Sequence, residues 1–170
     1  EVLLTAFEEY GVEETLRKIS GMFAIILWDR LEGTVTLLRD PMGKKPLYIG
    51  WADNTLVMAS ELKALKAAPN FKPSVNPDVQ ALYLKYACVP APYCIYKDTW
   101  QLLPGHSLTL NPEKLEKNQN LSKMMVPYWS PSDIIERGHI SRQQPHNDET
   151  AIENFSALLS QCVRERMISD

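Results

Sequence analysis

Arg39-Asp40-Pro41-Met42-Gly43-Lys44-Lys45-Pro46-Leu47-Tyr48 is the stretch on which the fold of this chain turns. Leu37 and Leu38 lead into it as a strand, and Arg39 and Asp40 fall where that strand ends. Asp40, Pro41 and Gly43 then hold the first, second and fourth positions of a type I turn, with Pro presetting φ. Residues 44–48 resume an extended course. Adjacent side chains on a strand point to opposite faces, so Arg39 and Asp40 are not expected to pair with each other. Strand ends are where scaffolds place working residues. A charged hairpin corner is the plainer alternative.

On the N-terminal side, residues 21–28 (Gly-Met-Phe-Ala-Ile-Ile-Leu-Trp) are apolar at both alternating positions, the pattern of a strand covered on both faces. Residues 29–33 form a turn and 34–38 the returning strand. Residues 1–10 read as an amphipathic helix, with Leu3, Leu4 and Phe7 opposite Glu8 and Glu9, stopped by Gly11. Residues 12–19 read as a second short helix with Val12, Leu16 and Ile19 inward.

On the C-terminal side, residues 48–51 and 56–59 make a second hairpin across Ala52, Asp53 and Asn54. Ser60 is read as the cap of a helix over 61–68, ended by Pro69. Asn76-Pro77-Asp78 is a strong helix start: an Asn cap, Pro first, an acid in the first turn. Val79, Leu82, Tyr83 and Tyr86 follow at helical spacing, and Val89-Pro90-Ala91-Pro92 breaks the run. Leu103-Pro104-Gly105 is a turn before a short strand over 106–110. Residues 111–125 read as a polar surface excursion, Tyr128 and Trp129 as an aromatic anchor, and 130–147 as a linker with two prolines. Asp148 is read as the cap of a final helix whose apolar face is Ile152, Phe155, Leu159, Cys162 and Val163. Short strands flanked by helices predict stacked sheets with helical outer layers.

The chain has 170 residues, room for one domain and part of another, and 45% of them are hydrophobic. A net charge of -3 argues against nucleic acid or an anionic membrane as partner. Cys88, Cys94 and Cys162 show no CxxC spacing and only three histidines accompany them, so no zinc site is expected. Core or loop positions are expected for the cysteines, a structural role for His106, and solvated positions for His139 and His146. No run approaches the ~18 apolar residues of a membrane span. A reducing cytoplasm is the expected compartment. The chain opens at Glu1 directly on a helical pattern, and a truncated piece is expected.

Four segments, in this order and spacing, resemble the glutamine amidotransferase domain of glutamine-hydrolysing asparagine synthetase. They are residues 21–29, residues 39–48, Ala59-Ser60-Glu61-Leu62-Lys63-Ala64-Leu65, and Tyr86-Ala87-Cys88-Val89-Pro90-Ala91-Pro92 followed by Leu103-Pro104-Gly105-His106. The resemblance implies an α+β fold: a four-layer αββα N-terminal-nucleophile hydrolase sandwich, incomplete here, over residues 1–128. It implies an interdomain linker at 129–147, and at 148–170 the first helix of an α/β ATP-pyrophosphatase domain. The implied enzyme is an ATP-dependent C–N ligase. Glutamine is hydrolysed at one site, and ammonia passes through a tunnel to attack an aspartyl-AMP made from aspartate and Mg-ATP. ATP and Mg2+ are the implied cofactors, glutamine and aspartate the substrates, the synthetase domain of the same chain the partner, and a homodimer an admissible assembly.

Carried over residue by residue, the resemblance puts the chemistry outside this chain. The family's nucleophile is an N-terminal cysteine activated by its own amine, expected upstream of Glu1 with its substrate-holding Arg, Asn-Gly pair and Asp. The ATP loop is expected after Asp170. The fragment is therefore expected to be inactive and, with strands missing from its sheets, poorly stable alone. What it retains is a set of expected tunnel or interdomain residues: Met22, Arg39, Asp40, Ser60 and Glu61. Met22 matches a position facing the ammonia route, a core methionine being the alternative. Two other readings stay open. One is a related amidotransferase acting on a sugar, peptide or antibiotic precursor; the other is a non-catalytic amidotransferase-like binding module.

Overall fold

Gly11 divides the first helix as the sequence predicts. The computed structural model describes residues 1–116, 119–141 and 147–167. Helix α1 (Val2–Lys18) is broken at Gly11, whose φ of 73° and ψ of 175° are not helical and suit a residue without Cβ. Thr15, buried, ties the two arms by donating its hydroxyl to the Ala6 carbonyl at 2.9 Å. Phe7 and Leu16, one from each arm, pack with Leu38.

Strands β1 (Ala24–Asp29) and β2 (Thr34–Arg39) form the first hairpin, with Ile26 opposite Leu37 and Trp28 opposite Val35. Asp29 organises its turn by accepting from the Leu31 and Glu32 amides at 2.8 and 3.0 Å. Strands β3 (Tyr48–Ala52) and β4 (Thr55–Ala59) form the second hairpin, turning at Asp53 and Asn54 as read from sequence. With β5 (Thr99–Gln101), β6 (His106–Leu110) and β7 (Val126–Pro127) they make two antiparallel sheets, ordered β1-β2-β6-β7 and β4-β3-β5.

Alternation along the strands sets the core. Val35 and Leu37 of the first sheet join Leu47, Ile49, Leu102, Leu108, Leu110 and Leu121 in one buried cluster that draws on both sheets. Leu38 points the other way, to α1. Ala52 of β3 packs with Leu65 of helix α2 (Leu62–Ala67) and with Phe71. Each buried aliphatic side chain contributes roughly 1.5–3 kcal/mol.

Several expectations need correction. Strand β1 is not covered on both faces: Ile26 and Trp28 are 46% and 53% exposed. The strand lies at the edge of its sheet, and among the described residues no strand pairs with its other side. Ser60 is not a cap; Glu61 takes that position, extended, with no side-chain cap bond. The excursion at 111–125 is not confined to the surface, because Leu121 is fully buried and Gln119 accepts from the Trp51 indole at 3.3 Å. Apolar residues spaced among Asn and Lys carry too little periodicity to announce this.

Helix α3 (Pro77–Tyr86) starts as predicted, the Asn76 side chain accepting from the Asp78 amide at 3.2 Å. Val79 is its buried residue, whereas Tyr83 and Tyr86 are exposed. Residues 130–147, read as linker, contain helix α4 (Pro131–Ser141), which Pro131 opens at the position where a missing N–H costs nothing. Helix α5 (Asp148–Arg166) is capped by Asn147 rather than Asp148, the Asn147 side chain accepting from the Glu149 amide at 3.0 Å. The chain divides into two compact units, Glu1–Ser130 and Pro131–Asp170. In the second, Ile134, Ile135 and Ile140 of α4 and Ile152, Phe155, Leu159 and Val163 of α5 are exposed. Among the described residues no helix is long and apolar enough to cross a membrane. His146, Lys117, Asn118 and the last three residues lie outside the described residues.

Candidate functional site

Asp40 and Arg39 are buried, at 1% and 5% exposure, so every polar atom they carry needs a partner. The turn read from Asp-Pro-Met-Gly is present: the Gly43 amide donates to the Asp40 carbonyl at 3.0 Å. The Asp40 carboxylate then accepts from the two amides that follow, Lys44 to Oδ1 and Lys45 to Oδ2, both at 2.9 Å. The main chain of Asp40 is equally committed. Its amide donates to the Phe23 carbonyl and its carbonyl also accepts from the Gly105 amide, each at 3.0 Å.

Arg39 bonds to the same turn and spreads its fork over three backbone carbonyls. Nε donates to Lys45 at 2.9 Å, Nη1 to Leu102 at 2.5 Å and Nη2 to Gly43 at 2.8 Å. A rigid planar guanidinium can satisfy three fixed acceptors where a single ammonium cannot. Burial lowers the pKa of Arg39 and the neighbouring Asp40 charge opposes that shift. The side chain stays charged, as arginine does in proteins. Among the described residues the ion pairs are Arg17 and Lys18 with Glu13 and Glu14, and Lys63 with Glu61; Arg39 and Asp40 form none with each other.

Tyr128 closes this knot. Its hydroxyl donates to the Arg39 carbonyl at 2.5 Å. Its amide and that of Trp129 donate to the Gly105 carbonyl at 2.9 and 3.1 Å. Burial first, then the Asp40 charge, raise the pKa of the Tyr128 hydroxyl, so it remains a donor. Among the described residues no buried side-chain nitrogen or oxygen lacks a partner. The knot therefore has no spare group to offer a substrate. It holds the end of β2, the 40–43 turn, the 102–105 loop and residues 128–129 in one arrangement.

Met22, Ser60 and Glu61 are exposed. Glu61 is engaged by Lys63 at 2.6 Å, which raises the Lys63 pKa. No described hydrogen bond or ion pair joins these three residues to Arg39 or Asp40. No pattern in the sequence signals that Leu102, Gly105 and Tyr128 meet Arg39 and Asp40. The Leu-Pro-Gly turn and the Tyr-Trp anchor were legible, but not their junction. His106 is a structural residue: its Nδ1 lies 2.8 Å from the Pro104 carbonyl. His139 is exposed on α4.

Among the described residues no disulfide joins the cysteines; Cys94 is buried and Cys88 exposed. Burial pushes the Cys94 thiol pKa up, against backbone hydrogen bonds to Tyr96 and Ile95 that pull it down. Since the thiolate is the reactive form, iodoacetamide at neutral pH is expected to label Cys88 first and Cys94 only on unfolding. Mass spectrometry of timed samples checks the order, and early Cys94 labelling would contradict the burial.

A family model described as a glutamine amidotransferase domain matches residues 1–123. The chain belongs to that family. The resemblance carried by residues 21–29, 39–48 and 59–65 is thereby borne out. Similarity continues past residue 123. Along its whole length, in an alignment of 172 positions, it is 30% identical to the putative glutamine-hydrolyzing asparagine synthetase 2 of Methanocaldococcus jannaschii, covering 30% of that protein. Again along its whole length, in an alignment of 176 positions, it is 30% identical to glutamine-hydrolyzing asparagine synthetase 2 of Bacillus subtilis, covering 22% of it. Synthetase 1 of the same bacterium is 34% identical over 115 residues, 66% of this chain and 18% of that protein. The chain thus spans less than a third of the length of these relatives. The amidotransferase family and its two antiparallel sheets fit together: the matched span contains β1 to β6 and the whole Arg39–Asp40 side of the knot.

Proposed function

We propose that this chain is part of a glutamine-dependent asparagine synthetase, an ATP-dependent ligase that amidates aspartate with ammonia drawn from glutamine. The observation that carries this reading is similarity to asparagine synthetases along the whole chain, beyond the amidotransferase match. In this reading residues 1–128 are the larger, later part of the amidotransferase domain, 129–147 connect, and 148–170 begin the synthetase domain. A four-layer αββα sandwich is supported by α1 packing on one sheet, the two sheets sharing a core, and α2 packing on the other. Met22, Ser60 and Glu61, being exposed, suit the tunnel or interdomain surface, whereas Arg39 and Asp40 support that surface from within.

The reading assigns the nucleophile to an N-terminal cysteine outside residues 1–170. Cys94 is a poor substitute, being buried with its thiol pKa raised. Among the described residues no group of three His, Cys, Asp or Glu side chains is disposed to hold a metal ion. The reading assigns ATP and Mg2+ to the synthetase part of the complete ligase and the cytoplasm as its compartment.

The test compares the complete gene product with the 170-residue chain. The complete product is expected to release glutamate from glutamine and, given aspartate and Mg-ATP, to form asparagine. The chain alone is expected to release no glutamate above background. Cysteine-dependent turnover by the chain alone, or a complete product inert toward glutamine, would overturn the reading. Amidation of another acceptor in place of aspartate would point instead to the related amidotransferases.

A further inference from the structure

We draw no further inference here: the strongest candidate, the exposed apolar edge of β1 at Ile26 and Trp28 with the cleft beside it that Leu4, Phe7 and Leu31 line, is a face of the first sheet for which nothing in the structure shows what covers it.

Discussion

Replacing Arg39 with alanine is expected to destabilise the first unit by about 3–5 kcal/mol, the range in which removing one partner of a buried charged network falls. The guanidinium serves the carbonyls of Lys45, Leu102 and Gly43 with its three nitrogens. A buried acceptor left without its donor costs roughly 1–3 kcal/mol, and these losses do not add fully because the loops relax together. Truncation also leaves the buried Asp40 carboxylate without the positive charge beside it. Arg39→Lys is the discriminating variant. It keeps the charge and most of the stem, but a single ammonium cannot span three carbonyls that a planar fork reaches. It should recover less than about half of the loss, where a purely Coulombic role would predict near-complete recovery. Urea unfolding followed by tryptophan fluorescence, with the slope unchanged, measures both. A loss below about 1 kcal/mol for alanine would mean that the three carbonyls find water instead.

The two hairpins and the 40–43 turn were legible because their signals are local. Alternation, an Asp-Pro-x-Gly turn and an Asn-Pro-Asp cap each act within a few residues, and the structure reproduces all three. What stayed hidden is what depends on distant partners. Apolar residues on both faces of β1 told of a strand, but not that it lies at an edge with Ile26 and Trp28 open. Helix α4 was obscured because Pro131, which opens it, reads equally as a breaker. Arg39 and Asp40 form no ion pair with each other, as expected, but both bond to the 43–45 turn, and their partners Leu102, Gly105 and Tyr128 lie 62 or more residues away by sequence number, where pattern has no reach. The working strand end read from the sequence is a buried fastening within the amidotransferase domain. The chemistry expected of the family has no counterpart among the side chains gathered there.

Gly105→Ala tests that fastening from the backbone side and is expected to cost about 2–4 kcal/mol. Gly105 has a φ of +65°, where a Cβ is strained whatever the space around it. That strain alone is worth roughly 1–2 kcal/mol. A Cβ built there would also stand 2.6 Å from the Trp129 carbonyl oxygen and 3.2 Å from its ring. The carbonyl cannot simply withdraw, because the Trp129 and Tyr128 amides are both bonded to the oxygen of Gly105 itself. Relief requires breaking those bonds or shifting the turn, and the Gly105 amide holds the turn to Asp40. Gly33→Ala is the matched control: its φ is +62°, but nothing lies within 4 Å of the added carbon. It should cost only the left-handed strain, about 1 kcal/mol. The difference between the two variants in one urea series isolates the collision with Trp129. If both cost the same, the approach of residue 129 to residue 105 is looser than the hydrogen bonds imply, and the Tyr128 hydroxyl would be left as the main restraint on the segment that leaves the domain.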